Sequence, residues 1–89
     1  MKAVITVTGK DCVGIISKVS GLCAENGANI IDITQKVMEE LFVMIMMVDI
    51  SAMTSKFNDF VDSMDALGKE NGLVIHTMHE DIFNAMHTV

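Results

Sequence analysis

Apolar and polar residues alternate along Lys2-Ala3-Val4-Ile5-Thr6-Val7-Thr8, with Ala3, Ile5 and Val7 on one face and Val4, Thr6 and Thr8 on the other. Period two in β-branched residues predicts a first strand, which Gly9 ends. After a short loop the spacing changes: Ile15, Ile16, Val19, Leu22 and Cys23 recur at helical intervals up to Asn26-Gly27, a pair suited to a left-handed helix cap. From Asn29 to Met38 period two returns. Ile31, Ile33 and Val37 are expected to face the core there, and Asp32, Thr34 and Lys36 to alternate with them. Glu39-Glu40 interrupts the apolar run, and the next strand, Leu41 to Ile50, follows so closely that a tight hairpin must join the two.

That third strand is apolar on both faces: Phe42, Met44, Met46 and Val48 oppose Leu41, Val43, Ile45 and Met47. Neither face suits water, so the strand is expected to be central or covered. A short C-terminal helix carrying Ile82, Phe83 and Met86 on one side is one candidate cover, and a partner subunit is the other. A second helix is expected from about Thr54 as N-cap, with Phe57, Phe60, Val61, Met64 and Leu67 as its apolar stripe to Asn71-Gly72. A fourth strand should run from Leu73 to about Met78.

The order is β-α-β-β-α-β, and Glu-Asn-Gly closes the helical part of each half, at residues 25–27 and 70–72. Two right-handed crossovers joined by a hairpin give an α+β, ferredoxin-like fold, a four-stranded antiparallel sheet with both helices on one face. At 89 residues the chain is a single domain. A chain of this size buries only about 60–65% of its unfolded surface, and without a disulfide framework, association with a second copy is the expected source of added stability.

Composition removes several functional classes. All six basic residues are lysines and the net charge is -6, so no guanidinium fork is available for phosphate or guanine, and nucleic-acid binding is disfavoured. No apolar run reaches the roughly 20 residues of a membrane span, and the N-terminus leads straight into the first strand, so a cytoplasmic location is expected. Cys12 and Cys23 would lie about 16 Å apart by helical rise, too far for a mutual disulfide, which fits a reducing compartment. His76 and His79 should point to opposite faces of the last strand; with His87, they do not make convergent metal ligands, and no metal is expected. No nucleophile elbow, paired carboxylates, P-loop or dinucleotide fingerprint is present, so neither catalysis nor a cofactor is expected.

The stretch Thr8-Gly9-Lys10-Asp11-Cys12-Val13-Gly14 carries the most information. It is a strand-to-helix turn in which glycines permit close approach and the helix offers unpaired N–H groups that attract an anion, better a carboxylate than a triphosphate. Asp11 serves equally as a plain N-cap, Asn29 as a turn residue, and Cys12 as a small buried side chain.

With Asn26-Gly27-Ala28-Asn29-Ile30 and the strand after it, this turn resembles that of an ACT domain over nearly the whole chain. It is most similar to stand-alone ACT proteins of bacteria and archaea and to the regulatory domains of glycine-cleavage regulators and formyltetrahydrofolate deformylases. The resemblance implies a homodimeric sensor with an amino acid or related small effector at the subunit interface, acting on a protein target. It implies that Asp11 meets an ammonium and the amides around Cys12, Val13 and Gly14 a carboxylate, while Asn29 and Ile30 of the partner complete the site. Val13 stands where the family commonly has proline. The alternative is an assembly module without ligand, in which the glycines only shape the turn and the apolar surfaces serve oligomerisation.

Overall fold

The computed structural model describes residues 1–10 and 13–86; Asp11, Cys12 and His87 lie outside the described residues. The chain forms β1 (Lys2–Gly9), α1 (Ile15–Asn26), β2 (Asn29–Met38), β3 (Leu41–Asp49), α2 (Phe57–Glu70), β4 (Val74–His79) and α3 (Glu80–Met86). The strands make one antiparallel sheet in the order β2-β3-β1-β4. This is the expected ferredoxin-like arrangement, with β3 and β1 central.

The core lies between the sheet and the two long helices. Ala3, Ile5 and Val7 of β1 and Phe42, Met44, Met46 and Val48 of β3 meet Ile15, Val19 and Cys23 of α1 and Phe60 and Met64 of α2, all buried. Both helical stripes and both central strands therefore face as their periodicity predicts. The three buried methionines fill gaps between the layers with unbranched side chains, which suits a core with so few aromatic rings.

Both long helices end in the same way. Gly27 (φ 74°) and Gly72 (φ 68°) take left-handed conformations that L side chains disfavour. The next residue turns its N–H back into the helix, Ala28 to Cys23 O at 2.9 Å and Leu73 to Gly68 O at 2.8 Å. Asn26 and Asn71 donate their side-chain amides to the carbonyls four residues earlier, Leu22 and Leu67, each at 2.8 Å. The repeated Glu-Asn-Gly is thus a repeated helix stop. It also moves β4 to begin at Val74 rather than Leu73, whose N–H belongs to the cap.

Three other expectations need correction. The N-cap of α2 is Lys56, not Thr54. Thr54 instead donates both its N–H (3.0 Å) and its hydroxyl (3.4 Å) to Asn26 O, tying the loop after β3 to the end of α1. In β2, only Ile33 packs against the core; Ile31 is 48% and Val37 67% exposed. β2 is an edge strand that the helices do not cover, and Ile31 falls in an irregularity between Ile30 and Asp32 where the register with β3 shifts. The C-terminal helix forms, yet it packs on β1 and β4 rather than on β3. Val4, on the face away from α1 and α2, is fully buried, while Val43, Ile45 and Met47 of β3 are half-buried and Leu41 is exposed.

Two substitutions test this packing. A methyl group at Gly68 would lie 2.9 Å from Leu73 O and 3.2 Å from Ile75 N, so Gly68→Ala is expected to destabilise the fold by about 1–3 kcal/mol, read as a lowered urea midpoint. The Thr77 hydroxyl is buried without a hydrogen-bond partner, so Thr77→Val should raise stability by about 1 kcal/mol.

Candidate functional site

Gly14 is the N-cap of α1, with φ 75° and ψ -1°, and among the described residues no side chain caps the helix or places an acid in its first turn. A Cβ at this position would meet nothing within 4 Å, so the need for glycine is conformational and not one of space. The Gly14 carbonyl accepts the Lys18 N–H at 3.2 Å, which starts the helix. Val13 beside it is 89% exposed, an apolar side chain at the mouth of the turn. Of the residues predicted to meet a ligand here, Asp11 and Cys12 lie outside the described residues.

The other half of the predicted site, Asn29 and Ile30, opens β2, and both are exposed. Strand register fixes where they lie. Asn29 pairs with Asp49, and Asp49 with Lys2 at the start of β1. Gly9, at the far end of β1, pairs with Phe42, and Phe42 with Val37 at the end of β2. One subunit therefore puts Asn29 and the Gly9-to-Gly14 turn at opposite ends of the sheet, roughly 20 Å apart at about 3.4 Å per residue. Among the described residues, Gly14 therefore does not converge with Asn29 and Ile30 within one chain.

The remaining reactive groups have local explanations. Cys23 is buried against the sheet, and desolvation pushes its thiol up to about 11. It is thus protonated and unreactive at neutral pH. His79 stacks on Phe57 with ring centroids 4.0 Å apart, on the helix side of the sheet, whereas His76 pairs with Thr6 on the open side. Among the described residues, no cluster of His, Cys, Asp or Glu has metal-binding geometry. Asp49 is held below the usual carboxylate range, first by the Ser51 N–H donated to it at 2.9 Å.

A broad hollow lies somewhere else. About 620 Å³ lies between Met1, Lys2, His79, Glu80, Asp81 and Ile82, at the end of β1 opposite Gly9. It is an open depression of mixed charge where α3 leaves β4, unlike the apolar, enclosed pockets that hold small ligands. Sequence reasoning missed it because it depends on where α3 docks, and its one signal was the run His79-Glu80-Asp81. A smaller hollow of about 130 Å³ lies on the open face between Asp32, Thr34, Ile45 and Met47.

Comparison with known proteins agrees with this architecture: the family model of the ACT domain matches residues 2–78. The chain belongs to the ACT domain family. α3 lies beyond the matched segment. A UPF0237 protein of Methanococcus maripaludis is 48% identical to this ACT domain over 86 residues, 97% of this chain and 96% of the relative. Among solved structures, an ACT domain protein from Streptococcus pneumoniae superposes with a TM-score of 0.81 at 41% identity, covering 98% of each chain. A glycine cleavage system transcriptional repressor matches at TM-score 0.67 and 28% identity, over 85% of this chain and 43% of its own. A formyltetrahydrofolate deformylase from Pseudomonas syringae pv. tomato matches at TM-score 0.76 and 17% identity, over 88% of this chain and 27% of its own, and shares the fold. No helix among the described residues is long and apolar enough to cross a membrane.

The buried thiol gives a pH prediction. The unfolded chain ionises Cys23 near 9 and the folded ACT domain near 11. The folded state therefore holds the extra proton between these values, and stability should fall as pH rises from about 9 toward 11. Native protein at pH 8 should leave Cys23 unmodified by iodoacetamide until denaturant is added, as peptide mass mapping would record.

Proposed function

We propose that this ACT domain is a regulatory module that binds a small amino-acid-like effector as a homodimer and is not a catalyst. The observation that carries the reading is the left-handed Gly14 at the start of α1, in a chain matched to the ACT family over residues 2–78. On this reading the effector's carboxylate is held by backbone amides around Cys12, Val13 and Gly14, and its ammonium by Asp11. Asn29 and Ile30 come from the second subunit, in keeping with their place at the far end of the sheet within one chain. A ligand shared by two chains stabilises the dimer by mass action. It changes the surface offered to a protein target by its differential affinity for two states.

A second reading has its own support. Leu41 on the open face is exposed, as are Ile82 (54%) and Met86 (65%) on α3, and these side chains suit an assembly module that takes no ligand. Met86→Asp would then lower the oligomeric state in sedimentation, whereas the effector reading expects no change.

The deciding experiment is a thermal-shift panel of the common amino acids followed by titration calorimetry. One amino acid should raise the melting temperature saturably. Asn29→Ala, at an exposed position, should then weaken its affinity about tenfold, with the ligand-free melting temperature unmoved. Silence across the panel, or unchanged affinity in Asn29→Ala, overturns the site assignment.

A further inference from the structure

The tripeptide Glu-Asn-Gly occurs twice, and each copy contains a reactive pair, Asn26-Gly27 and Asn71-Gly72. Asparagine before glycine is open to attack on its own side chain, because glycine has no Cβ to keep its backbone nitrogen away from the amide carbon. In that step the glycine nitrogen gives its proton to water or hydroxide and bonds to Cγ of the asparagine. The Cγ–Nδ2 bond breaks, ammonia leaves, and a succinimide ring closes on the main chain. Water then opens the ring at either carbonyl. The product is aspartate, or isoaspartate in which the main chain runs through the former side chain, and either one adds a negative charge. Nothing is oxidised or reduced, and water is the co-reactant.

Ring closure needs a conformation that neither helix stop holds. The main chain must swing to bring the glycine nitrogen under Cγ, whereas a near-helical ψ, 8° at Asn71, turns that nitrogen away. The reaction therefore waits on local opening, and its rate reports how much of the structure must come apart. At Asn26 much must. This residue is the last of α1, its Oδ1 accepts the Ser55 hydroxyl, and its carbonyl accepts both donors of Thr54. A Cβ at Gly27 would lie 3.0 Å from Ala52 O. The loop after β3 clamps the pair, and α1 releases it only by separating from that loop.

At Asn71 little must. It is the C-cap of α2, one step outside the helix. Its N–H and its side-chain amide donate to Gly68 O (3.1 Å) and Leu67 O (2.8 Å) in the same last turn, and the Gly72 N–H reaches Lys69 O only at 3.4 Å. Its partner from another element is Lys18, whose exposed ammonium donates to Oδ1 at 2.7 Å from the end of a flexible stem. A Cβ at Gly72 would meet nothing within 4 Å among the described residues. Unwinding a single turn frees this pair. The ammonium favours the chemistry as well, since attack on Cγ places negative charge on Oδ1, where Lys18 already donates.

We infer that Asn71-Gly72 is a site of spontaneous deamidation in the folded protein, converting to aspartate and isoaspartate, whereas the identical pair at Asn26-Gly27 is protected by the fold. Two contacts carry the change to the turn before α1. The Leu73 N–H closes the cap on Gly68 O, and the Leu73 side chain fills the space that a Cβ on Gly9 would need. Isoaspartate adds a main-chain carbon between residues 71 and 72, which shifts Leu73 against Gly9, where the turn begins. Lys18 stands in the first turn of α1 and donates its N–H to Gly14 O, where the turn ends. Conversion at residue 71 should therefore weaken an effector held by this turn. That consequence rests on the effector reading above, while the modification itself does not.

The test ages the full chain, with no effector added, in warm and mildly alkaline buffer. Peptide mass mapping follows each Asn-Gly pair, and enzymatic methylation of isoaspartate distinguishes it from aspartate. In the folded chain Asn71 should convert at least about tenfold faster than Asn26. In denaturant the two should convert at similar rates, because the tripeptide around them is the same. Ser55→Ala should speed conversion at Asn26 several-fold and leave Asn71 as it was, with circular dichroism confirming that the variant folds. Equal rates in the folded chain, or conversion of Asn71 only in denaturant, overturns the assignment, and an Asn26 rate unmoved by Ser55→Ala overturns the clamp. The amino acid that raises the melting temperature should bind aged protein more weakly than fresh protein, and equal affinity overturns the link to the turn. Silence of the amino-acid panel removes that link alone and leaves the modification standing.

Discussion

The ladder between β1 and β3, unbroken from Lys2–Asp49 to Gly9–Phe42, is the interaction on which the rest of the molecule depends. It joins the first strand to a strand more than thirty residues later. It brings Ala3, Ile5 and Val7 level with Val48, Met46 and Met44, so two apolar rows become one surface broad enough for both helices. No local segment can bury its own stripe without this surface. β2 and β4 then attach to the outer sides of an existing pair, and helix–coil propensity decides little beyond where each helix stops. The same ladder fixes the ends of the sheet and so decides which loops can share a ligand.

Most of this was legible in the sequence because it is encoded by period. Alternation in β1 and β3, helical spacing from Ile15 to Cys23 and from Phe57 to Leu67, and Glu-Asn-Gly after each helix specify the order and the stops. The failures share a cause: a pattern states which residues lie on a common face, but not whether anything covers that face. Ile31 and Val37 read as core because their strand alternates, yet β2 is an edge and the helices sit inward of it. Thr54 reads as a cap because capping chemistry suits it, yet Asn26 O at the end of α1 competes for the same donors and wins. Of the candidate site, the turn at Gly14 was legible from its glycines, and Asn29 from its place after Gly27-Ala28. Their separation along the sheet was not, because it depends on strand register.

That separation changes what a small effector can do. If both halves of a site belonged to one subunit, ligand affinity would not depend on protein concentration. Under the proposed function, in which halves from opposite ends of the chain meet between two subunits, binding and dimerisation become a single equilibrium. At an effector concentration of 100 times its Kd, each occupied site adds about 2.7 kcal/mol to the dimer and nothing to the monomer. A domain of this size, with one modest core and an uncovered edge strand, is marginal enough for such an increment to change its assembly.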